Sequence, residues 1–218
     1  MQTTLLDFRL RRISTVLSVA ILTLSLIAAI SGVLLSFYYQ PTAGGAYNSL
    51  KTISETVNNG WLFLKAHSFA GNALIVCGLV QIVVMFLGRQ FRKSWLTAWI
   101  SGIFLVLTAI GLDWTAMILG WTQEGYWRFN IELGTIQAIP FIGNQLRDIL
   151  TGGNGVSSIT VEHLFAIHSY ILSVASIVVA LVHLGGLLWQ ERQMSKEMLV
   201  SEMSEIAEQG DSSANQMV

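Results

Sequence analysis

Four apolar runs, roughly residues 13–38, 61–87, 96–120 and 163–189, constrain this chain more than anything else in it. About 20 residues of α-helix cross the hydrocarbon core of a bilayer, so each run has length to spare. In lipid, backbone polar groups must be satisfied within the segment, which makes helices the expected solution. The two prolines, Pro41 and Pro140, lie outside all four runs. Composition agrees: 53% of residues are hydrophobic and 11% charged, against about 25% charged in a soluble domain. The expected fold class is all-α, an integral membrane four-helix bundle.

The formal net charge of −1 gives no reason to expect nucleic acid. The single cysteine, Cys77, cannot close an internal disulfide, and no CxxC or CxxCH occurs. Zinc ribbons, thioredoxin chemistry and covalent c-type haem by the usual motif are thereby excluded. The first run follows Arg9, Arg11 and Arg12, as a signal peptide would. It is much longer than the usual apolar region of about 7–15 residues and no small-residue cleavage site follows, so a retained span is expected.

Basic residues set the expected orientation. Arg9, Arg11, Arg12, Arg89, Arg92, Lys93, Arg192 and Lys196 fall on one side, and Lys51, Lys65, Arg128 and Arg147 on the other. This puts both termini and the second-to-third connection in the cytoplasm. Phe37, Tyr38, Tyr39, Trp61, Trp95, Trp99, Trp121 and Trp189 at the span ends fit interfacial anchoring. The connection 39–60 holds a stretch, Tyr47 to Val57, suited to a short amphipathic surface helix. The connection 121–161 is long, and long ordered loops are often functional. The expected division is a cytoplasmic segment 1–12, a four-helix domain 13–190, and an acidic, partly disordered cytoplasmic tail 191–218.

Strongly polar side chains are expensive at bilayer depth and mark sites. His67 lies six residues into the second run and His168 five into the fourth, at the same non-cytoplasmic end. His183 lies fifteen residues beyond His168, and Gln81 fourteen beyond His67. At 1.5 Å and 100° per residue, the members of each pair share a helix face about 21–22 Å apart. A lone histidine here reads equally well as polar glue between helices. Three at matched depths favour axial ligation of haem iron by opposed imidazoles. Small residues permit a flat macrocycle between helices. Gly32 and Ala116 lie level with His67, and Ser18 and Gly102 lie fourteen positions away, toward the cytoplasm. His163, beside Glu162, reads as a solvated interfacial group, a haem-propionate contact or a proton-handling group. Asp113, inside the third run, reads as interfacial or as facing a wet cavity, a quinone or a partner subunit.

The motifs FYYQPT, GWLFLKAH, WISGIF, WTQEGYW and AIPFIG, with the spacing of His168 and His183, resemble cytochrome b6 and the N-terminal half of respiratory cytochrome b. The similarity runs from about residue 13 to 190. The resemblance implies a bundle with haem b between the second and fourth helices. By that resemblance His67 and His168 ligate the outer haem and His183 ligates the inner one. Gln81 stands at the position of the second inner ligand. The haem-flanking glycines of the family map to Ser18, Gly32, Gly102 and Ala116. The cysteine that tethers an extra haem maps to Val16, so no covalent haem is expected. The family's arginine at the entry of the fourth helix maps to His163. The PEWY-type quinol-oxidation motif is not in this chain.

At the Gln81 level three outcomes stand open: five-coordinate haem on His183, a distant ligand such as Met85, or no haem. The expected function is a b-type cytochrome subunit passing single electrons between a quinone pool and a redox partner within a b6f- or bc-like oxidoreductase complex. It is not a complete enzyme alone. The partners implied are the lipid bilayer, quinone, a subunit IV-like protein, an iron–sulfur or c-type cytochrome protein, and a second copy in a homodimer. The membrane implied is a bacterial plasma membrane or a thylakoid-type membrane. The alternatives are a diverged one-haem paralogue serving sensing, storage or assembly without quinol turnover, and a haem-free scaffold.

Overall fold

The computed structural model of the chain describes residues 5–88, 95–153 and 155–215. Among these, every regular element is helical. In chain order they are α1 (Leu5–Ser36), α2 (Ala46–Glu55), α3 (Gly60–Leu87), α4 (Leu96–Leu119), α5 (Gln123–Gln137), α6 (Gly143–Thr151), α7 (Ser158–Ala166) and α8 (Ser173–Asn215). A π-helical turn, Ile167–Leu172, joins α7 to α8 without a break. Four helical segments are long and apolar enough to cross a membrane: Arg9–Ser36, Gly60–Leu87, Leu96–Leu119 and Ser158–Lys196.

Helix α1 packs against α3 and α8, and α4 packs against the same two. The four long helices therefore stand at the corners of a square, with α3 and α8 facing each other across its diagonal. A side chain on the inner face of α3 meets its counterpart on α8 at the bundle axis. That placement creates the site.

The interior is layered along this axis. At one end Ala46, Ile118, Leu119, Phe129, Leu133, Val161 and Leu164 form an apolar cluster that seats α2, α5 and α7 on the bundle. Midway, Ile21, Leu74, Leu105, Ala109 and Ala180 pack together, beside a Ser25–Ser176 hydroxyl pair at 3.3 Å. At the far end Met85, Trp95, Ala98 and Leu187 close the core. Polar levels lie between these apolar ones. The outward faces remain apolar, with Val16, Ile30, Val33, Phe69, Val76, Phe86, Phe104 and Leu107 exposed, as lipid-facing positions require.

The structure departs from the sequence expectations at several points. The connection 121–161 contains two helices: α5, with Thr122 Oγ1 accepting from the Gly125 N–H at its start, and α6. Trp95 is no interfacial anchor. It is 2% exposed, with the Arg11 guanidinium 6.0 Å from its ring centre, a cation–π arrangement. Tyr39 is also tied down. It stacks on Phe165 at 5.5 Å and donates its hydroxyl to the Leu119 carbonyl at 2.8 Å, while burial pushes its pKa up. Helix α1 spans Leu5–Ser36 and α8 spans Ser173–Asn215. Of the residues used for orientation, Arg89, Arg92 and Lys93 lie outside the described residues.

Candidate functional site

Two polar levels sit on the α3–α8 diagonal. At the first, the rings of His67 and His168 face each other with centres 6.1 Å apart and planes inclined at 55°. His67 Nδ1 lies 2.8 Å from the Ala28 carbonyl oxygen of α1, with Ser31 Oγ at 3.3 Å. A carbonyl can only accept, so Nδ1 carries the ring proton and Nε2 keeps its lone pair. His168 Nδ1 lies 2.8 Å from Thr115 Oγ1. The Thr115 hydroxyl donates to the Gly111 and Leu112 carbonyls at 2.8 and 2.9 Å, so it accepts from His168. Nε2 of His168 is likewise left with its lone pair. A donated Nδ1–H with a free Nε2 is the arrangement that orients metal-bound histidines and raises their basicity.

The spacing suits a metal between the rings. A transition metal–imidazole bond is about 2.0–2.1 Å, and a ring centre lies about 1.1 Å behind its nitrogen, so a shared metal sets the centres about 6.3 Å apart. The 6.1 Å observed matches. No group of three or more His, Cys, Asp or Glu positioned for a metal occurs among the described residues. Two opposed imidazoles supply only two ligands, so a metal held between them would have to bring its other ligands with it, as haem iron does. Gly32 keeps the place open: a Cβ on it would lie 3.0 Å from His67 Cε1.

At the second level the geometry differs. Gln81 Nε2 lies 3.0 Å from His183 Nε2 and donates to Ser14 Oγ at 2.9 Å. His183 Nδ1 lies 3.0 Å from the Ala98 carbonyl and 3.1 Å from Ser101 Oγ. His183 again carries its proton on Nδ1, but its Nε2 lone pair is taken by the Gln81 amide. Both residues are sealed in, at 0% and 1% exposure, whereas His67 and His168 are half-buried. Gln81 Oε1 and Ser18 Oγ are buried with no hydrogen-bond partner among the described residues. Gly102 packs on His183 as Gly32 packs on His67, with a Cβ position 3.1 Å from Cε1.

The remaining candidates are more scattered. Ala116 is exposed on α4, and its neighbour Thr115 is the residue that touches His168. His163 is exposed, with Nδ1 3.4 Å from the Ile149 carbonyl, and so braces the end of α6. Asp113 is exposed on the outer surface of α4. Sequence reasoning missed Thr115, Ser14, Ser101 and the Ala28 and Ala98 carbonyls. The available signal was Ser or Thr in an apolar helix at the depth of a histidine. The π turn was also missed. Fourteen residues on α3 turn a side chain by about −40°, and fifteen on a regular α8 by about +60°. A π turn takes up about one residue relative to an α-helix, which brings His168 and His183 back into step with His67 and Gln81.

The family described as Cytochrome b/b6/petB matches residues 7–191. Cytochrome b6 of Cyanidium caldarium is 31% identical over 162 residues, 74% of this chain and 75% of that protein. Cytochrome b6 of Synechococcus elongatus is 30% identical over the same shares. Among solved structures, a hyperthermophilic respiratory complex III chain superposes with a TM-score of 0.71 at 22% identity, over 80% of this chain and 47% of that one. The present chain thus spans about half the length of that structure's chain and shares its fold. On the extent of the family match and the identity to cytochrome b6, this integral membrane chain belongs to the cytochrome b/b6 family.

Proposed function

We propose that this chain is the electron-transferring cytochrome b subunit of a bc- or b6f-type complex, in which His67 and His168 would hold haem b. The observation that carries the reading is the His67–His168 pair: opposed rings, both Nδ1 protons donated away, centres 6.1 Å apart. A b-type haem at this level supplies a one-electron carrier close to one membrane face.

The chain's own residues do the rest. The Ala28 carbonyl and Thr115 hydroxyl hold the two imidazoles in the ligating tautomer. Gly32 admits a macrocycle edge beside His67. The apolar cluster around Ile118, Phe129 and Leu164 separates the level from the aqueous face and lowers the local dielectric, which helps set the potential. The exchange partners that fit the family are a membrane quinone and a protein redox partner. The test uses membranes containing the full chain. Adding a short-chain quinol is expected to develop a reduced b-type α-band, and His67→Ala and His168→Ala membranes to show none. Wild-type membranes whose b band does not respond to quinol would overturn the quinone assignment.

A further inference from the structure

We infer that the second level, Gln81 with His183, is a closed hydrogen-bonded lock in place of a second haem, so that this chain carries electrons along one membrane face only. The inference rests on haem ligation by His67 and His168, since the contrast between the two levels is its basis.

Four observations support the lock. First, an axially shared iron would hold the opposed ligand nitrogens about 4 Å apart, whereas Gln81 Nε2 and His183 Nε2 are in direct contact at 3.0 Å. Second, both ring nitrogens of His183 are used, and the two amide protons of Gln81 reach Ser14 and His183. Ser14 on α1, Gln81 on α3, Ala98 and Ser101 on α4 and His183 on α8 thereby join all four long helices at one depth. A neutral amide is also a poor ligand for haem iron compared with imidazole, the usual partner of a second histidine. Third, Gln81 Oε1 and Ser18 Oγ are buried and unpartnered. Such oxygens are satisfied by ordered water, and the apolar face of a porphyrin would leave them bare. Fourth, Met85, the other candidate ligand, is fully buried among Trp95, Ala98 and Leu187.

The functional consequence concerns direction. Fourteen residues of α3 separate the levels, about 21 Å, and Ile21, Leu74, Leu105, Ala109 and Ala180 fill that distance. With no carrier at the His183 level, electrons enter and leave through the His67–His168 level. The relay across the membrane that two stacked haems provide is broken.

The test is haem per chain by pyridine haemochrome, on the full chain purified from cells supplied with excess haem. About one haem is expected in the wild type and in His183→Ala, and loss of that haem in His67→Ala. Two haems in the wild type, or a haem lost from His183→Ala with the His67-dependent band unchanged, would overturn the inference. The double substitution Gln81→His with Ser18→Gly is expected to raise the count to about two, with the first band serving as the control for folding. A count that stays at one in a folded double variant would remove Gln81 as the cause of closure. A wild type with no haem at all would instead overturn the His67–His168 reading on which the inference rests.

Discussion

Thr115→Val is nearly isosteric and removes the one side-chain acceptor that His168 Nδ1–H has, at 2.8 Å. A buried donor left without a partner costs about 1–3 kcal/mol, and loss of a partner behind a ligating histidine typically costs 10–100-fold in metal affinity. The Leu112 carbonyl also faces this nitrogen and can take over part of the bond. The effect therefore belongs at the lower end of the range, about 1–1.4 kcal/mol, or roughly five- to ten-fold weaker haem binding. Thr115→Ser keeps the hydroxyl and should restore most of the loss. Ser31→Ala is the internal control. Its hydroxyl is 3.3 Å from His67 Nδ1, but the Ala28 carbonyl at 2.8 Å already accepts that proton, so affinity should change less than about two-fold. The assay is haem titration of the apo-chain in detergent, followed at the Soret and α bands. Equal affinities for Thr115→Val and wild type, or a larger loss in Ser31→Ala than in Thr115→Val, would refute the proposed roles of these two contacts.

Three further outcomes are expected. Gly32→Leu places a branched chain where a Cβ alone would lie 3.0 Å from His67 Cε1. Haem content should fall at least about tenfold while the helical circular dichroism is kept; full haem content would show that Gly32 does not border the site. Deleting Ile171, which is exposed within the π turn, should relax the turn to α-helix and keep both histidines in register. A full-occupancy b spectrum is expected, whereas loss of the haem would show that the π turn does not absorb the extra residue. Gln81→Leu leaves His183 Nε2 and Ser14 without their amide partner. The thermal midpoint in detergent should drop in line with about 1–3 kcal/mol while the spectrum is unaltered, and an unchanged midpoint would show that the lock adds nothing to stability.

Much of this arrangement was legible in the residues. The four spans followed from apolar length alone. The pairing of His67 with His168, and of Gln81 with His183, followed from a helical rise of 1.5 Å applied to two runs that start at the same membrane face. What stayed hidden has common physical causes. The Ala28 and Ala98 carbonyls are backbone atoms, and no side chain announces which carbonyl a histidine will meet. Thr115 is one of several hydroxyl residues in an apolar helix, and only the packing of α4 against α8 selects it over Ala116. The π turn violates the uniform 100° step on which helix-face reasoning depends. Trp95 resembles an interfacial anchor until Arg11 and Met194, at 2.8 Å from each other, are seen to close over it. Helices α5 and α6 depend on a tertiary seat supplied by Phe129, Leu133 and the ends of α4 and α7.

The most direct measurement of the central claim is the low-spin optical and electron paramagnetic resonance spectrum of the purified chain beside its His67→Ala and His168→Ala variants. The account predicts a bis-histidine b-type signature in the wild type that disappears, or turns high-spin, in each single variant. A bis-histidine signature that persists in either variant would place the axial ligands elsewhere and contradict the account.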